Sequence, residues 1–434
     1  MDTAIVVFTR DLRLHDNPAL HQAYVRARKV VPLFVVDPAL GTRSANRARF
    51  LAESLADLRA SLRERGADLV LRRGDPAAEV IRLATEVHAT AVYIADDVSH
   101  YATARRHKLE RECARHRIEL TLTPGLTVVP PGELRPAGGG HYRVFTPYWR
   151  AWRAAPWRSH CPVPRAIAMP SVEKIGRLPA KETASPGSPG LAPGGETAGR
   201  KRFVSWRERL LSAYEENHDD LAGDATSRLS PYLRFGCVSP LEVAIGALDR
   251  PGGEKFCRQL AWRDFFCQVT AAFPDIARKN YRPGPAWHED RRALEAWREG
   301  QTGIPIVDAG LRQLAAEGFM HNRARMVTAS FLTRNLGIDW RHGLAHFDSL
   351  LADGDVASNA GNWQWVSGTG NNTRPNRVIN PLRQAQRFDR SGEYVRRYVP
   401  ELVSLDPAWI HTPWQLPPAQ RVRLGYPGPL VELA

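Results

Sequence analysis

Short apolar runs and amphipathic stretches alternate over the first third of the chain. Residues 4–8 (AIVVF), 30–36 (VVPLFVV), 68–71 (DLVL), 91–95 (AVYIA) and 118–122 (IELTL) are brief and mostly aliphatic, as strands of a covered sheet are. Asn17-Pro18 supplies an N-cap and a first-turn proline for a helix through Arg28, and Asp75-Pro76 starts another. Residues 46–66 repeat apolar positions at helical spacing up to a glycine, and a basic helix runs through about Arg117. Five strands separated by helices predict a parallel, doubly wound sheet, whose ligands gather at the carboxyl ends of its strands. That rim includes the loop Thr9-Arg10-Asp11-Leu12-Arg13. With neither a GxGxxG nor a Walker sequence, the domain is not expected to hold an ordinary dinucleotide or nucleoside triphosphate.

The pattern breaks between about 129 and 205. Pro130-Pro131, Gly138-Gly139-Gly140 and residues 179–199 (PAKETASPGSPGLAPGGETAG) carry too few apolar side chains to order themselves. They predict a long connector with a short helix around 148–157. From Trp206 onward, apolar positions recur every three or four residues over 254–273, 291–299, 306–317 and 323–336, and no strand pattern appears. Ser239-Pro240-Leu241-Glu242 reads as a capping box with proline at the first helical position. The expected organisation is an α/β domain over 1–128, a connector over 129–205 and an all-α domain over 206–434.

Composition adds a partner and a compartment. At 434 residues the chain exceeds one ordinary core, and a formal charge of +14 with a pI near 9.9 favours a polyanion such as nucleic acid. Cys113, Cys161, Cys237, Cys257 and Cys267 form no metal-ligand spacing, and an odd, scattered set suits a reducing cytosol. No metal is expected. The N-terminus does not read as a signal peptide, and no run approaches the roughly 20 apolar residues of a membrane span. These features point to a cytoplasmic protein that meets the nucleoid through DNA.

Four stretches carry chemistry. Residues 353–365 (DGDVASNAGNWQW) gather two carboxylates, two asparagine amides and two indoles, either a capped turn beside buried indoles or a pocket for a flat, polar, redox-active ligand. Thr226-Ser227-Arg228-Leu229-Ser230 places three hydroxyls at a helix start, where an N-cap and a phosphate site look alike. Residues 256–268 (FCRQLAWRDFFCQ) set Gln259 and Trp262 one helical turn apart, able to bond and stack on a base or simply to line a core. In Met320-His321-Asn322-Arg323-Ala324-Arg325-Met326, Arg325 is placed to pair with Asp353.

Together with FTRDLRLHDNPAL at 8–20, TSRLSPYLRFGCVSP at 226–240 and WREGQTGIPIVDAGLRQL at 297–314, these runs resemble the photolyase/cryptochrome family over essentially the whole chain. The resemblance lies nearest the class I cyclobutane pyrimidine dimer enzymes. It implies an N-terminal α/β domain joined by a long connector to a helical domain that holds FAD. It also implies a second, antenna chromophore, methenyltetrahydrofolate or 8-hydroxy-5-deazaflavin, near Arg10, Asp37 and residues 96–101. By the same resemblance Tyr214, Thr226, Ser227, Arg228, Leu229 and Ser230 hold the pyrophosphate and ribityl chain of FAD. Arg263, Asn322, Arg325, Asp353, Gly354 and Asp355 line the cofactor cavity, and Asn359 faces flavin N5. Trp363, Trp340 and Trp287 match the family's chain of electron-relaying tryptophans.

The implied reaction is light-driven repair of pyrimidine dimers in DNA by an electron from excited, reduced FAD. Enzymes that act on a base, photolyases among them, first take it out of the stack. Trp262 and Trp365 would then wall the lesion, with Gln259, Arg263, Asn322, Arg323, Met326 and Arg377 in contact with it or its strand, and Arg374 and Arg383 on further phosphates. The (6-4) photolyases carry histidines where this chain has Asn322 and Met326, so the cyclobutane dimer is the expected lesion. Gln259, where many dimer enzymes have glutamate, is the one feature shared with (6-4) enzymes. His218 stands where an arginine often meets DNA. A cryptochrome-like light sensor is the rival; Asn359, Met326, the basic charge and the chain's end at Ala434 weigh towards repair. A monomer is expected.

Overall fold

The computed structural model describes residues 1–40, 44–180 and 186–433. By packing, these form two compact units. The first comprises Met1–Pro186, Ala192–Ser212 and Ser227–Asp275; the second comprises Gly187–Leu191, Ala213–Thr226 and Ile276–Ala434. The units therefore interleave along the chain, unlike the three consecutive stretches expected from composition.

In the first unit, β1 (Thr3–Val7), α1 (Pro18–Arg26), β2 (Lys29–Val36), α2 (Ala45–Arg63), β3 (Val70–Arg73), α3 (Pro76–Glu86), β4 (Ala91–Ala95), α4 (His100–Arg115) and β5 (Glu119–Thr123) alternate as the pattern predicts. The sheet is wholly parallel, in the order β3-β2-β1-β4-β5. Ile5 is paired with Val31 on one side and Val92 on the other. The caps form as read: Asn17 accepts from the Leu20 N–H at 3.0 Å, and Asp75 from Ala78 at 3.0 Å. At the carboxyl rim Arg10 reaches Asp97 at 3.3 Å, and the Tyr101 hydroxyl donates to Asp37 at 2.5 Å.

The same unit continues with α5 (Phe145–Ala154), α6 (Glu196–Arg209), α8 (Ser230–Phe235), α9 (Pro240–Leu248) and α10 (Gly253–Ala272); α7 (Tyr214–Asn217) lies between α6 and α8 in sequence and belongs to the second unit. Asp264 of α10 is fully buried and accepts from Val128 N, Val129 N and the Trp152 indole, which ties the start of the connector down. Burial outweighs the Arg263 charge and these donors, and pushes the Asp264 carboxyl up to about 6. Only half of the predicted capping box forms: Ser239 accepts from Glu242 N, but the Glu242 carboxylate pairs with Arg200 at 2.6 Å.

One expectation fails outright. Residues 179–199 were expected to lack order, yet the chain is fixed from 186 onward. Its few apolar groups are replaced by backbone groups anchored on side chains: Gly194 N donates to Glu53 at 2.8 Å and Thr197 N to Asp57 at 3.0 Å in the first unit. In the second unit Ser188 Oγ donates to the Ala315 carbonyl at 2.7 Å and Gly190 N to Ala316 at 2.8 Å. Residues 181–185 of that stretch lie outside the described residues.

The second unit is helical, with α11 (Arg291–Arg298), α12 (Pro305–Glu317), α13 (Asn322–Ser330), α14 (Trp340–Leu350), α15 (Val356–Ser367), α16 (Pro381–Phe388), α17 (Glu393–Tyr398) and α18 (Pro418–Leu424). Among the described residues its only strand-like pairing is a single bridge, His288 to Ile338. The helix predicted over 323–336 is interrupted. It widens to a π turn over Phe331–Asn335, where Leu336 N donates to Phe331 O, and Gly337 at φ +65° ends it. One apolar core runs through α11 to α17 and contains Trp297, Trp340 and Trp363. Among the described residues, no helix is long and apolar enough to cross a membrane.

Candidate functional site

In the second unit the opening of α15 is built by its own side chains. Asp355 caps the helix, accepting from Ser358 N at 2.9 Å, which leaves Asp355, Asn359 and Trp363 on successive turns of one face. Two residues before the cap, Asp353 is 6 % exposed and takes a two-pronged pair from Arg325, at 3.1 and 2.7 Å. Arg325 also donates to the Met320 carbonyl at 2.8 Å, so α13 and the turn at 353–355 form one charged frame. The pair predicted from the sequence is present.

Trp363 and Trp340 are both inside the core, and the half-buried Trp287 packs against it. Gly343, one turn beyond Trp340 on α14, abuts the Trp363 indole so closely that a Cβ there would collide with it. The bridge from His288 to Ile338 brings the segment of Trp287 beside the one that leads into Trp340. Residues scattered along the sequence thus converge in one cluster. The Trp340 N–H donates to Asn280 at 3.0 Å, whereas the buried Trp363 N–H has no partner among the described residues.

Asn322 and Met326 lie one turn apart on α13, the first exposed and the second half-buried against the core. Arg323 between them does not stand free: it meets Asp219 at 2.6 Å and lies over the Phe388 ring at 4.5 Å. His321 caps the helix, its Nδ1 accepting from Arg323 N at 3.1 Å, and burial lowers its pKa to about 4. Trp365 is half-buried, and its carbonyl accepts from the Asn372 amide. Arg374, Arg377 and Arg383 are exposed, with no ion-pair partner among the described residues. Tyr214 is buried, which raises its pKa, and His218 Nδ1–H donates to the Tyr214 carbonyl at 3.0 Å.

In the first unit Gln259 is exposed on α10, one turn before the half-buried Trp262. Phe145 stacks on Trp262 with ring centres 3.6 Å apart and planes 6° from parallel, so one indole face is already covered. Arg263 is held through main-chain carbonyls, donating to Leu126 and, at 3.3 Å, to Leu233. The turn of Thr226–Ser230, whose first residue is counted with the second unit, is strained: Arg228 has φ +49°, a conformation non-glycine residues rarely adopt. Ser227 Oγ accepts from Leu229 N at 3.4 Å, while Thr226 Oγ1 is buried without a partner among the described residues. Hydroxyls of this kind fit the phosphates and ribityl chain of FAD.

Some contributors left no signal in the sequence. Phe145 lies far from Trp262 along the chain. Gln364, flanked by the two conspicuous tryptophans, turns away and donates to Ile276 O at 2.6 Å and Lys279 O at 2.9 Å, while accepting from Tyr281 N. Asp219 is one of several adjacent acidic residues, and its contacts with Arg323 at 2.6 Å and His218 at 3.7 Å distinguish it.

Residues 4–167 match the family described as DNA photolyase, and residues 256–434 match the FAD binding domain of DNA photolyase. A deoxyribodipyrimidine photo-lyase of Streptomyces griseus is 50% identical over 442 residues, covering 100% of this chain and 97% of the relative. A cryptochrome DASH of Gloeobacter violaceus is 36% identical, covering 99% and 93%. The crystal structure of a bacterial class III photolyase from Agrobacterium tumefaciens superposes with a TM-score of 0.94 at 34% identity, covering 100% and 95%. The chain therefore belongs to the photolyase/cryptochrome family. Its cofactor is FAD, carried by the domain that DNA photolyases use for it.

Proposed function

We propose that this chain is a light-driven DNA repair enzyme that splits cyclobutane pyrimidine dimers, the activity of a deoxyribodipyrimidine photo-lyase. The observation that carries the reading is α15 with its frame: Asp353 clamped by Arg325, then Asp355, Asn359 and Trp363 on successive turns. When bound and reduced, FAD supplies the electron that light releases into the dimer. The protein contributes position and electrostatics. Asp353 and Asp355 orient the cofactor, and the Asn359 amide can bond flavin N5 without readily donating a proton. Tyr214 and residues 226–230 hold its phosphates and ribityl chain.

Trp262 and Trp365 offer stacking surfaces to the extruded dimer; Phe145 backs the first, which also packs against Phe265 and Phe266. Asn322 and Met326 supply no acid, which suits a ring that opens by electron transfer alone. Arg374, Arg377 and Arg383 meet backbone phosphates. Trp287, Trp340 and Trp363 restore reduced cofactor by relaying electrons inward. An antenna chromophore, a folate or deazaflavin, sits at the carboxyl rim near Arg10, Asp37 and Tyr101. Incubating the reduced holoprotein with DNA that contains one cyclobutane dimer is expected to restore both pyrimidines under blue light and not in darkness. Dimers that persist under light would refute the reading.

The second reading is a light sensor, favoured by the full-length match to a cryptochrome DASH. It predicts flavin photoreduction without loss of any lesion.

A further inference from the structure

The middle tryptophan of the cluster is held by an unusual acceptor. Trp340 is fully buried, and its indole N–H donates at 3.0 Å to the side-chain oxygen of Asn280. The same oxygen accepts from Arg341 Nη2 at 3.0 Å. Arg341 also donates to the Arg278 carbonyl at 2.8 Å, pairs with Asp339 at 3.0 Å and lies over the Trp340 ring at 4.6 Å. Asn280 is itself fixed from α15, because Gln364 bonds Ile276, Lys279 and Tyr281 on either side of it. The residue next to Trp363 thus sets the loop that holds the Trp340 N–H.

An indole that has lost an electron becomes a much stronger acid at its N–H. A carboxylate in the place of Asn280 would take that proton and leave a neutral radical, from which the hole moves on only slowly. An amide oxygen accepts the hydrogen bond but is far too weak a base to take the proton. We propose that Asn280 is a positioning residue for the electron relay: it holds the Trp340 N–H against a non-basic oxygen, so that the hole crosses Trp340 without being trapped.

This inference rests on the reading of Trp363, Trp340 and Trp287 as a relay. The balance is one electron at each step. With FAD bound, Trp363 would give its electron to the light-excited oxidised flavin and take one from Trp340, which would take one from Trp287. The Trp340 N–H bond stays intact throughout. At the half-buried Trp287 the proton can leave to solvent.

The test is flash excitation of the FAD-loaded, oxidised holoprotein, following tryptophan radicals by transient absorption in H2O and in D2O. In the wild type, Trp340 is expected to appear only as a radical cation, with no solvent isotope effect on its decay. Asn280→Asp is expected to accumulate the neutral radical at Trp340, to gain an isotope effect and to lower the yield at Trp287 several-fold. Asn280→Ala, which removes the bond without adding a base, is expected to keep the cation signature. A neutral radical at Trp340 in the wild type, an Asn280→Asp trace identical to the wild type, or the same change in both variants would overturn the inference. Failure of the underlying relay looks different: no tryptophan radical in the wild type, or an undiminished yield in Trp340→Phe, would remove the relay and this inference with it.

Discussion

Two sets of arginines in the second unit do opposite things. On α13, Arg325 is clamped by the buried Asp353, and Arg323 by Asp219 with the Phe388 ring beneath it. Along the loop before α16 and on that helix, Arg374, Arg377 and Arg383 are exposed with no carboxylate partner among the described residues. A guanidinium fixed by a buried carboxylate is a structural strut, and removing it strands a charge. An exposed one has its charge available to phosphate, at little cost to stability.

The contrast can be broken by mutation. Arg325→Ala should have the largest effect, on the order of 3 kcal/mol of unfolding free energy, because Asp353 would be left buried and unpaired. Urea unfolding and FAD retention measure it, and adding Asp353→Asn should recover part of the loss. The same frame should be acid-sensitive through His321. Its pKa is about 4 in the fold, against 6.5 unfolded, so its contribution is present above 6.5 and lost as pH falls towards 4. His321→Asn should flatten that part of the stability–pH curve. Arg323→Ala should cost about 1 kcal/mol, since its pair with Asp219 is partly solvated. A loss equal to that of Arg325→Ala would show that burial of the carboxylate does not decide the matter.

The smallest effect on stability is expected for Arg374→Gln, Arg377→Gln and Arg383→Gln together, within about 0.5 kcal/mol. Their effect should fall on DNA instead. The slope of log K against log salt should drop by roughly 0.7–0.9 for each phosphate that an arginine no longer neutralises. A marked fall in stability with an unchanged slope would make these arginines struts as well.

Much of the fold was legible because its signals are local. Short apolar runs, Asn17-Pro18 and Asp75-Pro76 fix strands and caps within a few residues, whereas the strand order β3-β2-β1-β4-β5 was not legible, because it is set by which strands meet in the folded sheet. The order of residues 186–199 was not legible, since it depends on carboxylates of α2 and carbonyls of α12 that no local composition reveals. At the site, opposite charge alone suggested the pairing of Arg325 with Asp353. The grouping of Trp287, Trp340 and Trp363 could not be anticipated, because only tertiary packing brings them together, and resemblance alone picked them from twelve tryptophans. Phe145 behind Trp262 and Asn280 beneath Trp340 were invisible for the same reason.

Lesion choice offers the most direct test. A reaction that holds equal amounts of a cyclobutane dimer and a (6-4) photoproduct, on otherwise identical DNA, would be illuminated with the reduced holoprotein and both lesions counted. With Asn322 and Met326 in place of acid-base groups, only the cyclobutane dimer should disappear. Loss of the (6-4) photoproduct, or of neither lesion, would contradict the account.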